Sequence, residues 1–122
     1  MKIIKNYDNF FLPVDNLDEA KEFFNSKLGL DVKFDFADKG MTAFNVGSSE
    51  PAIIVNSAPA AKPAIWFTVD DVRQSYEMLK QKGVVFLSEP FSIMTGLAVE
   101  FTDPFGNRLG LTDYSAMPEL GG

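Results

Sequence analysis

The chain has 122 residues, a formal net charge of −6, and neither cysteine nor histidine. It therefore cannot form disulfides, thiolate nucleophiles or zinc–sulfur sites, and it lacks the most common general base. The negative charge disfavours nucleic acid, whose phosphates select basic surfaces. A hydrophobic fraction of 46% suffices for a packed core. Since we find no signal peptide and no apolar run of membrane-spanning length, we expect a soluble cytoplasmic protein that binds neither nucleic acid nor membrane.

The first half of the chain is typical of a strand, a helix and three further strands. Residues 6–14 (NYDNFFLPV) are rich in aromatic and apolar residues, as in a strand. Asn16 and Glu19 have capping-box spacing, and Gly29 suits the left-handed end of a helix. The apolar residues predicted to share one helical face are Leu17, Ala20, Phe23, Phe24 and Leu28. The following strands are predicted at 30–36, 41–47 and 51–57, with a turn at 47–50.

The second half begins after a short extended linker at 58–63 (APAAKP). A strand is predicted at 64–69 and a helix over 71–83, where Asp71 and Gln74 repeat the cap spacing and Gly83 ends the helix. The remaining strands are predicted at 84–88, 96–103 and 107–114, with a type I turn at DPFG, residues 103–106.

The two halves repeat each other, because their helix caps, helix ends and following strands match in order. Asn16-Leu17 corresponds to Asp71-Val72, and Phe44 corresponds to Phe101. The repeat predicts a single domain over 1–122. It would hold module 1 at about 6–57, module 2 at about 63–114 and a flexible tail at 115–122.

Three motifs carry a family resemblance: PVDNLDEAKEFFNSKLGL, FTVDDV…L…KGV and FTDPFGNRLGL. Their order and spacing resemble the vicinal oxygen chelate superfamily over about residues 6 to 114. That superfamily includes glyoxalase I, extradiol dioxygenases, fosfomycin-resistance enzymes and bleomycin-resistance proteins. The resemblance implies an α+β fold of two βαβββ modules, whose curled mixed sheets surround a shared cavity with the helices on the convex side.

Metal-dependent members of this superfamily take ligands from the first and last strands of each module, usually His, Gln or Glu. Carried over to this sequence, the first-strand positions are Asn9 and Ala64, and the last-strand positions are Ile53 and Gly110. One neutral amide cannot hold a divalent ion against water, so we expect no metal and no other cofactor. Gly110 is interpreted as a vacated metal position that leaves room for a ligand; the alternative is that it accommodates a bulge or a bulky neighbour.

Strand alternation from these four positions, and from Phe101, which the resemblance implies is core beneath a helix, predicts which side chains line the cavity. Trp66, the single tryptophan, would offer a flat apolar surface, and Glu100 an anionic anchor. As alternatives, Phe11 and Trp66 fill the cavity as core, and Glu100 pairs with Arg108 in a structural ion pair. The complete set of predicted ligand-binding residues is Asn9, Phe11, Asn45, Val55, Trp66, Thr68, Glu100, Arg108, Gly110 and Thr112.

In character the sequence is most similar to the metal-free bleomycin-resistance branch, and this resemblance implies an acidic homodimer. We expect a binding protein that sequesters a cationic aromatic compound or antibiotic, and we assign no catalytic residue. Two alternatives stay open. One is a metal-independent lyase or isomerase that uses Glu100 as its base, and the other is a vestigial structural or regulatory module without a ligand.

Overall fold

The computed structural model describes residues 3–47, 52–59 and 61–120. It divides into two compact units: a first unit of residues 9–64, and a second unit of residues 65–122 together with 1–8. Each unit combines a mixed sheet with one helix, which confirms the α+β class. The sequence placed residues 6–8 in module 1, whereas the structure groups them with the second unit.

The first unit has the strand order β2-β3-β4-β1, in which β1 and β4 are parallel and the other pairs antiparallel. Its helix, α1, lies on one side of this sheet. The elements are β1 (Ile4–Pro13, of which residues 9–13 lie in this unit), α1 (Leu17–Lys21), β2 (Asp31–Phe36), β3 (Met41–Asn45) and β4 (Ala52–Asn56).

Helix α1 begins as predicted, with the Asn16 side chain accepting a hydrogen bond of 3.0 Å from the backbone N–H of Glu19. Beyond α1 the helix widens to a π-helical turn over Glu22–Lys27, and Leu28 N donates to Phe23 O, five residues back. The wider turn shifts the phase of the following side chains. The predicted shared face is wrong for Leu28, which follows this turn and is 53% exposed, and also for Phe23, which lies within the turn and is 48% exposed.

The core of the first unit lies between α1 and the sheet. Ala20, Phe44 and Val55 are buried together, and the ring of Phe24 stacks on Phe44 with centroids 5.3 Å apart. Ile53 packs against the same cluster. The side of β4 that carries Ile53 and Val55 is thus the helix side of the sheet.

The second unit has the strand order β5-β9-β8-β6, with β7 also pairing with β8. Strands β5 and β9 are parallel, and β8 and β9 are antiparallel. The short strand β7 was not predicted from the sequence. The elements are β5 (Ala64–Val69, of which residues 65–69 lie in this unit), α2 (Val72–Gln81), β6 (Val85–Phe86), β7 (Phe91–Ile93), β8 (Gly96–Thr102) and β9 (Arg108–Thr112), together with residues 4–8 of β1.

Helix α2 also begins as predicted, because the Asp71 side chain accepts from Gln74 N at 3.0 Å. Its end is marked by Gly83 in a left-handed conformation, with φ at 90°. The core beneath α2 is formed by Val69, Val72, Tyr76, Val99, Phe101 and Leu111. Burial of such apolar side chains is the main stabilising contribution to folding.

The internal repeat is present in the strand order, since β2-β3-β4-β1 in the first unit matches β6-β8-β9-β5 in the second. The register of the core strands repeats as well. Phe44 pairs with Ile53 across β3 and β4, and Phe101 pairs with Leu109 across β8 and β9.

Part of the predicted flexible tail is hydrogen-bonded in the structure. Ala116 N and Met117 N donate to Thr95 O at 3.0 and 3.2 Å, and a 3₁₀ turn follows at Pro118–Leu120. Residues 121–122, most of the turn predicted at 47–50, and Ala60 of the linker lie outside the described residues. None of the helices in the described part of the chain has the length and apolar character that crossing a membrane requires.

Candidate functional site

A row of three paired residues crosses the sheet of the second unit. Trp66 on β5 pairs with Gly110 on β9, and Gly110 pairs with Glu100 on β8. Residues paired in this way point to the same side of a sheet, and side chains alternate along each strand. Because the neighbouring residues of these strands pack under α2, the row lies on the opposite side. We call this side of each unit's sheet its helix-free face.

Gly110 provides the space for the Trp66 ring. A Cβ atom added to Gly110 would lie only 2.6 Å from Cδ2 of Trp66, so a larger side chain would collide with the indole. Gly110 is not among the residues with a positive φ, and its role is therefore spatial rather than conformational. We expected Gly110 to leave room for a ligand. The structure corrects this expectation, because the Trp66 indole fills the space over Gly110. The indole extends over β9 from β5, whereas Glu100 lies on β8, along the other edge of β9.

Two opposite charges flank this ring. Glu100 lies in the row itself, and Arg108 lies two residues before Gly110 on β9, paired with Thr102. Both side chains are half-buried. Within the described residues neither forms a side-chain hydrogen bond or an ion pair, so the structure does not show the alternative in which Glu100 pairs with Arg108. The backbone N–H of Glu100 donates to Ser88 Oγ at 3.3 Å.

The next row on the same face is polar and buried. Thr68 pairs with Thr112, and they are 7% and 3% exposed. Thr68 Oγ1 donates to a carboxylate oxygen of Asp8 at 3.4 Å, and the Tyr114 hydroxyl donates to the same oxygen. Sequence reasoning missed both Asp8 and Tyr114. Continuing the alternation from Thr112 by two residues would have found Tyr114, whereas no local signal singled out Asp8.

Asp113 lies on the helix side and joins α2 to the sheet. Its carboxylate accepts from Val72 N and Leu97 N, both at 2.9 Å, and from the Ser115 hydroxyl at 2.7 Å. Burial, the largest single influence, acts to raise the pKa of Asp113, but the hydrogen bonds together outweigh it and hold that pKa below its ordinary value. The start of α2, and the position of β9 beneath it, are thereby fixed.

In the first unit, three of the predicted site residues lie on the helix-free face. Asn9 and Asn45 both pair with Ala52 and so form one row, and Phe11 pairs with Ile54 in the next. Val55 is different. It is fully buried in the core beneath α1, so the prediction that Val55 lines a cavity is wrong.

The cause is a one-residue error in the register of β4. Because Ile53 corresponds to Leu109 in the paired core strands, the counterpart of Gly110 is Ile54 and not Ile53. Alternation counted from Ile53 therefore placed Val55 on the wrong side of the sheet.

The residues at the family's metal positions do not fit a divalent ion. Ile53, its replacement Ile54 and Ala64 have no donor atom, and the indole occupies the space at Gly110. Only the amide of Asn9 carries an oxygen, and hard divalent cations require several charged or carbonyl oxygens. Within the described residues no group of three or more His, Cys, Asp or Glu is placed to hold a metal. We therefore derive no step through a metal.

The comparisons with known proteins agree with the fold. The sequence model of the Glyoxalase/Bleomycin resistance protein/Dioxygenase superfamily matches residues 6–111. The chain therefore belongs to that superfamily.

Two relatives come from Bacillus subtilis (strain 168). The uncharacterized protein YetH is 29% identical over 116 residues, which cover 86% of this chain and 95% of YetH. The uncharacterized protein YurT is 32% identical over 113 residues, covering 79% and 89%. Among solved structures, methylmalonyl-CoA epimerase from Mycobacterium tuberculosis matches with a TM-score of 0.73 and 17% identity, covering 94% of this chain and 91% of the epimerase. At that identity the likeness concerns the fold alone.

Proposed function

We propose that this protein binds a small planar organic molecule with a cationic group, without using a metal, on the helix-free face of the second unit. The observation that carries the proposal is the Trp66 indole lying over Gly110 in line with Glu100. A half-buried indole held flat against a strand offers a stacking surface for a planar ring. Glu100, which has no side-chain partner in the described residues, supplies the negative charge.

The two contacts together give useful affinity. Stacking on an aromatic ring adds about 1 kcal/mol beyond the buried area, and a hydrogen bond to a charged group contributes about 1.5–3 kcal/mol. Because about 1.4 kcal/mol changes affinity tenfold, the pair supports a preference of at least tens-fold over a ligand that makes neither contact. In the cell such a protein would sequester its ligand, and a cationic aromatic antibiotic is one compound of this class.

The experiment is a titration of tryptophan fluorescence with cationic, neutral and anionic aromatic compounds. Trp66 is the only tryptophan, so any change reports this site. We expect the cationic compounds to bind best and Glu100→Gln to weaken them at least tenfold. Glu77→Gln is the matched control, because Glu77 is an exposed residue of α2 on the other side of the sheet. Preference for anionic compounds, or an equal effect of the two variants, would contradict the proposal.

The proposed absence of a metal from the site also predicts the metal content of the purified protein. After purification without chelators, elemental analysis should find less than one equivalent of Zn, Ni, Fe or Mn per chain. The reason is that Asn9 is the only residue with a side-chain donor atom among the positions Asn9, Ile54, Ala64 and Gly110. One tightly bound metal ion per chain would overturn the site assignment.

We further propose that the chain forms a homodimer through the region of β7. Phe91 and Ile93 are each 39% exposed and the adjacent Met94 is 58% exposed, and exposed apolar sheet edges favour association. Light scattering should report a dimer at micromolar concentration. Met94→Asp should shift it toward monomer, whereas Glu77→Gln should not. A wild-type monomer would contradict the proposal.

A further inference from the structure

Arg108 is a second uncompensated charge on the face that holds Trp66 and Glu100. It lies on β9 one alternation before Gly110, and its direct partner on β8 is Thr102. Glu100 is therefore its diagonal neighbour, at a distance of about 7–8 Å between such positions. Long side chains can bridge this distance, yet in the described residues the two charges do not pair.

The protein thus leaves an anionic and a cationic group half-buried beside one aromatic surface. A half-buried charge without a partner is costly, and a ligand that satisfies only Glu100 leaves the guanidinium of Arg108 close to its own positive group. A ligand with both charges satisfies both side chains. Arginine is especially suited to a carboxylate, because its planar fork donates two parallel hydrogen bonds to the two oxygens.

We propose that the ligand is a planar zwitterion, whose positive group meets Glu100, whose carboxylate meets Arg108 and whose ring stacks on Trp66. This inference rests on the proposed binding function and narrows it to one charge pattern. The indole lies over Gly110, in the same row as Glu100 and diagonal to Arg108. Its plane sets the plane of the ligand's ring.

The probes are four benzene derivatives of one shape: benzamidine as cation, benzoate as anion, 4-amidinobenzoate as zwitterion and benzamide as neutral compound. Each is titrated against wild-type protein by tryptophan fluorescence and by calorimetry. A hydrogen bond to a charged group is worth roughly tenfold or more in affinity. We therefore expect 4-amidinobenzoate to bind at least about tenfold more tightly than benzamidine.

Single substitutions measure separately what each of the two charged side chains contributes to affinity. Arg108→Gln should lower the affinity for 4-amidinobenzoate to that for benzamidine, and should leave benzamidine unchanged or tighter. Glu100→Gln should weaken both. Arg73→Gln is the matched control for lost positive charge, since Arg73 is exposed on α2. Thermal unfolding followed by circular dichroism verifies that each variant is folded.

The outcomes separate this inference from the proposed function. If benzamidine binds as tightly as 4-amidinobenzoate, or if Arg108→Gln weakens the two equally, the zwitterion inference is wrong and the cation-binding function stands. If benzoate binds best, or if none of the four compounds perturbs Trp66 or releases heat, the proposed function itself is wrong. Tighter binding of 4-amidinobenzoate that is lost specifically in Arg108→Gln supports both.

Discussion

The two units have the same strand order, yet their helix-free faces differ in chemistry at matching positions. In the first unit the middle row reads Phe11, Ile54 and Ala43 across β1, β4 and β3. The matching row in the second unit reads Trp66, Gly110 and Glu100 across β5, β9 and β8.

The exchange of Ile54 for Gly110 accounts for much of this difference. In the first unit the central residue has its own apolar side chain, whereas in the second the central residue has none and the indole covers it. The first unit also places a stacked aromatic pair, Phe34 and Phe36, on this face, with ring centroids 4.8 Å apart. A repeated fold can thus keep the middle row of one half apolar while the matching row of the other carries an indole and a carboxylate, which is why function is better argued from the site than from the fold.

The largest expected effect concerns the anchoring of the helices. Ser57 N donates to Gly40 O as Asp113 N donates to Leu97 O, so Ser57 and Asp113 are counterparts. Asp113→Ala leaves buried backbone donors without an acceptor, at about 1–3 kcal/mol each, and should lower the free energy of unfolding by about 3 kcal/mol or more.

Ser57→Ala is the matched control for this comparison. The Ser57 hydroxyl makes one long hydrogen bond, 3.4 Å to Gly40 O, and its loss should cost about 0.5–1 kcal/mol. Urea unfolding followed by far-UV circular dichroism measures both. Equal costs for the two variants would show that Asp113 does not anchor α2.

The second prediction tests directly whether the missing side chain at Gly110 makes room for the Trp66 ring. Gly110→Ala should cost about 1–3 kcal/mol of unfolding free energy, because the new methyl group overpacks against the indole. In a Trp66→Ala background the same substitution should cost much less, since the collision has been removed. The measurement is a double-mutant cycle in urea.

Gly47→Ala is the control, because among the described residues, its chain neighbours aside, no atom lies within 4 Å of a Cβ at Gly47, and its φ is not positive. It should change stability by less than about 0.5 kcal/mol. Additive effects in the cycle would contradict the proposed contact between Gly110 and Trp66.

Much of the fold could be predicted from local sequence signals. The caps at Asn16 and Asp71, and the glycines Gly29 and Gly83, depend on interactions within a few residues, and the structure confirms them. The family fold followed from the resemblance of the three motifs, and the place of Trp66 on the helix-free face followed from alternation counted from the family position at Ala64.

The errors arose where a decision depended on register or on distant contacts. The side on which Val55 lies changes with a one-residue shift of β4, and a repeat that drifts in spacing does not fix that shift. The exposure of Leu28 follows from a π-helical turn that has no clear sequence signature. The Asp8–Tyr114 hydrogen bond joins opposite ends of the chain, and alternation within one strand carries no information about it.

The smallest expected effect is the response of stability to acid, and it again separates Asp113 from its counterpart Ser57, which does not titrate. The folded-state pKa of Asp113 lies below its ordinary value, which is about 3.9. The carboxylate therefore stabilises the fold fully above that value, and this contribution is lost as the pH falls through the folded pKa. We expect urea midpoints of the wild type to decrease between about pH 5 and pH 2, and Asp113→Asn to decrease less over that range. Asp35 and Asp103 also have lowered pKa values, but both remain in the variant and cancel in the difference. Parallel pH profiles for the two proteins would show that protonation of Asp113 does not account for the loss of stability in acid.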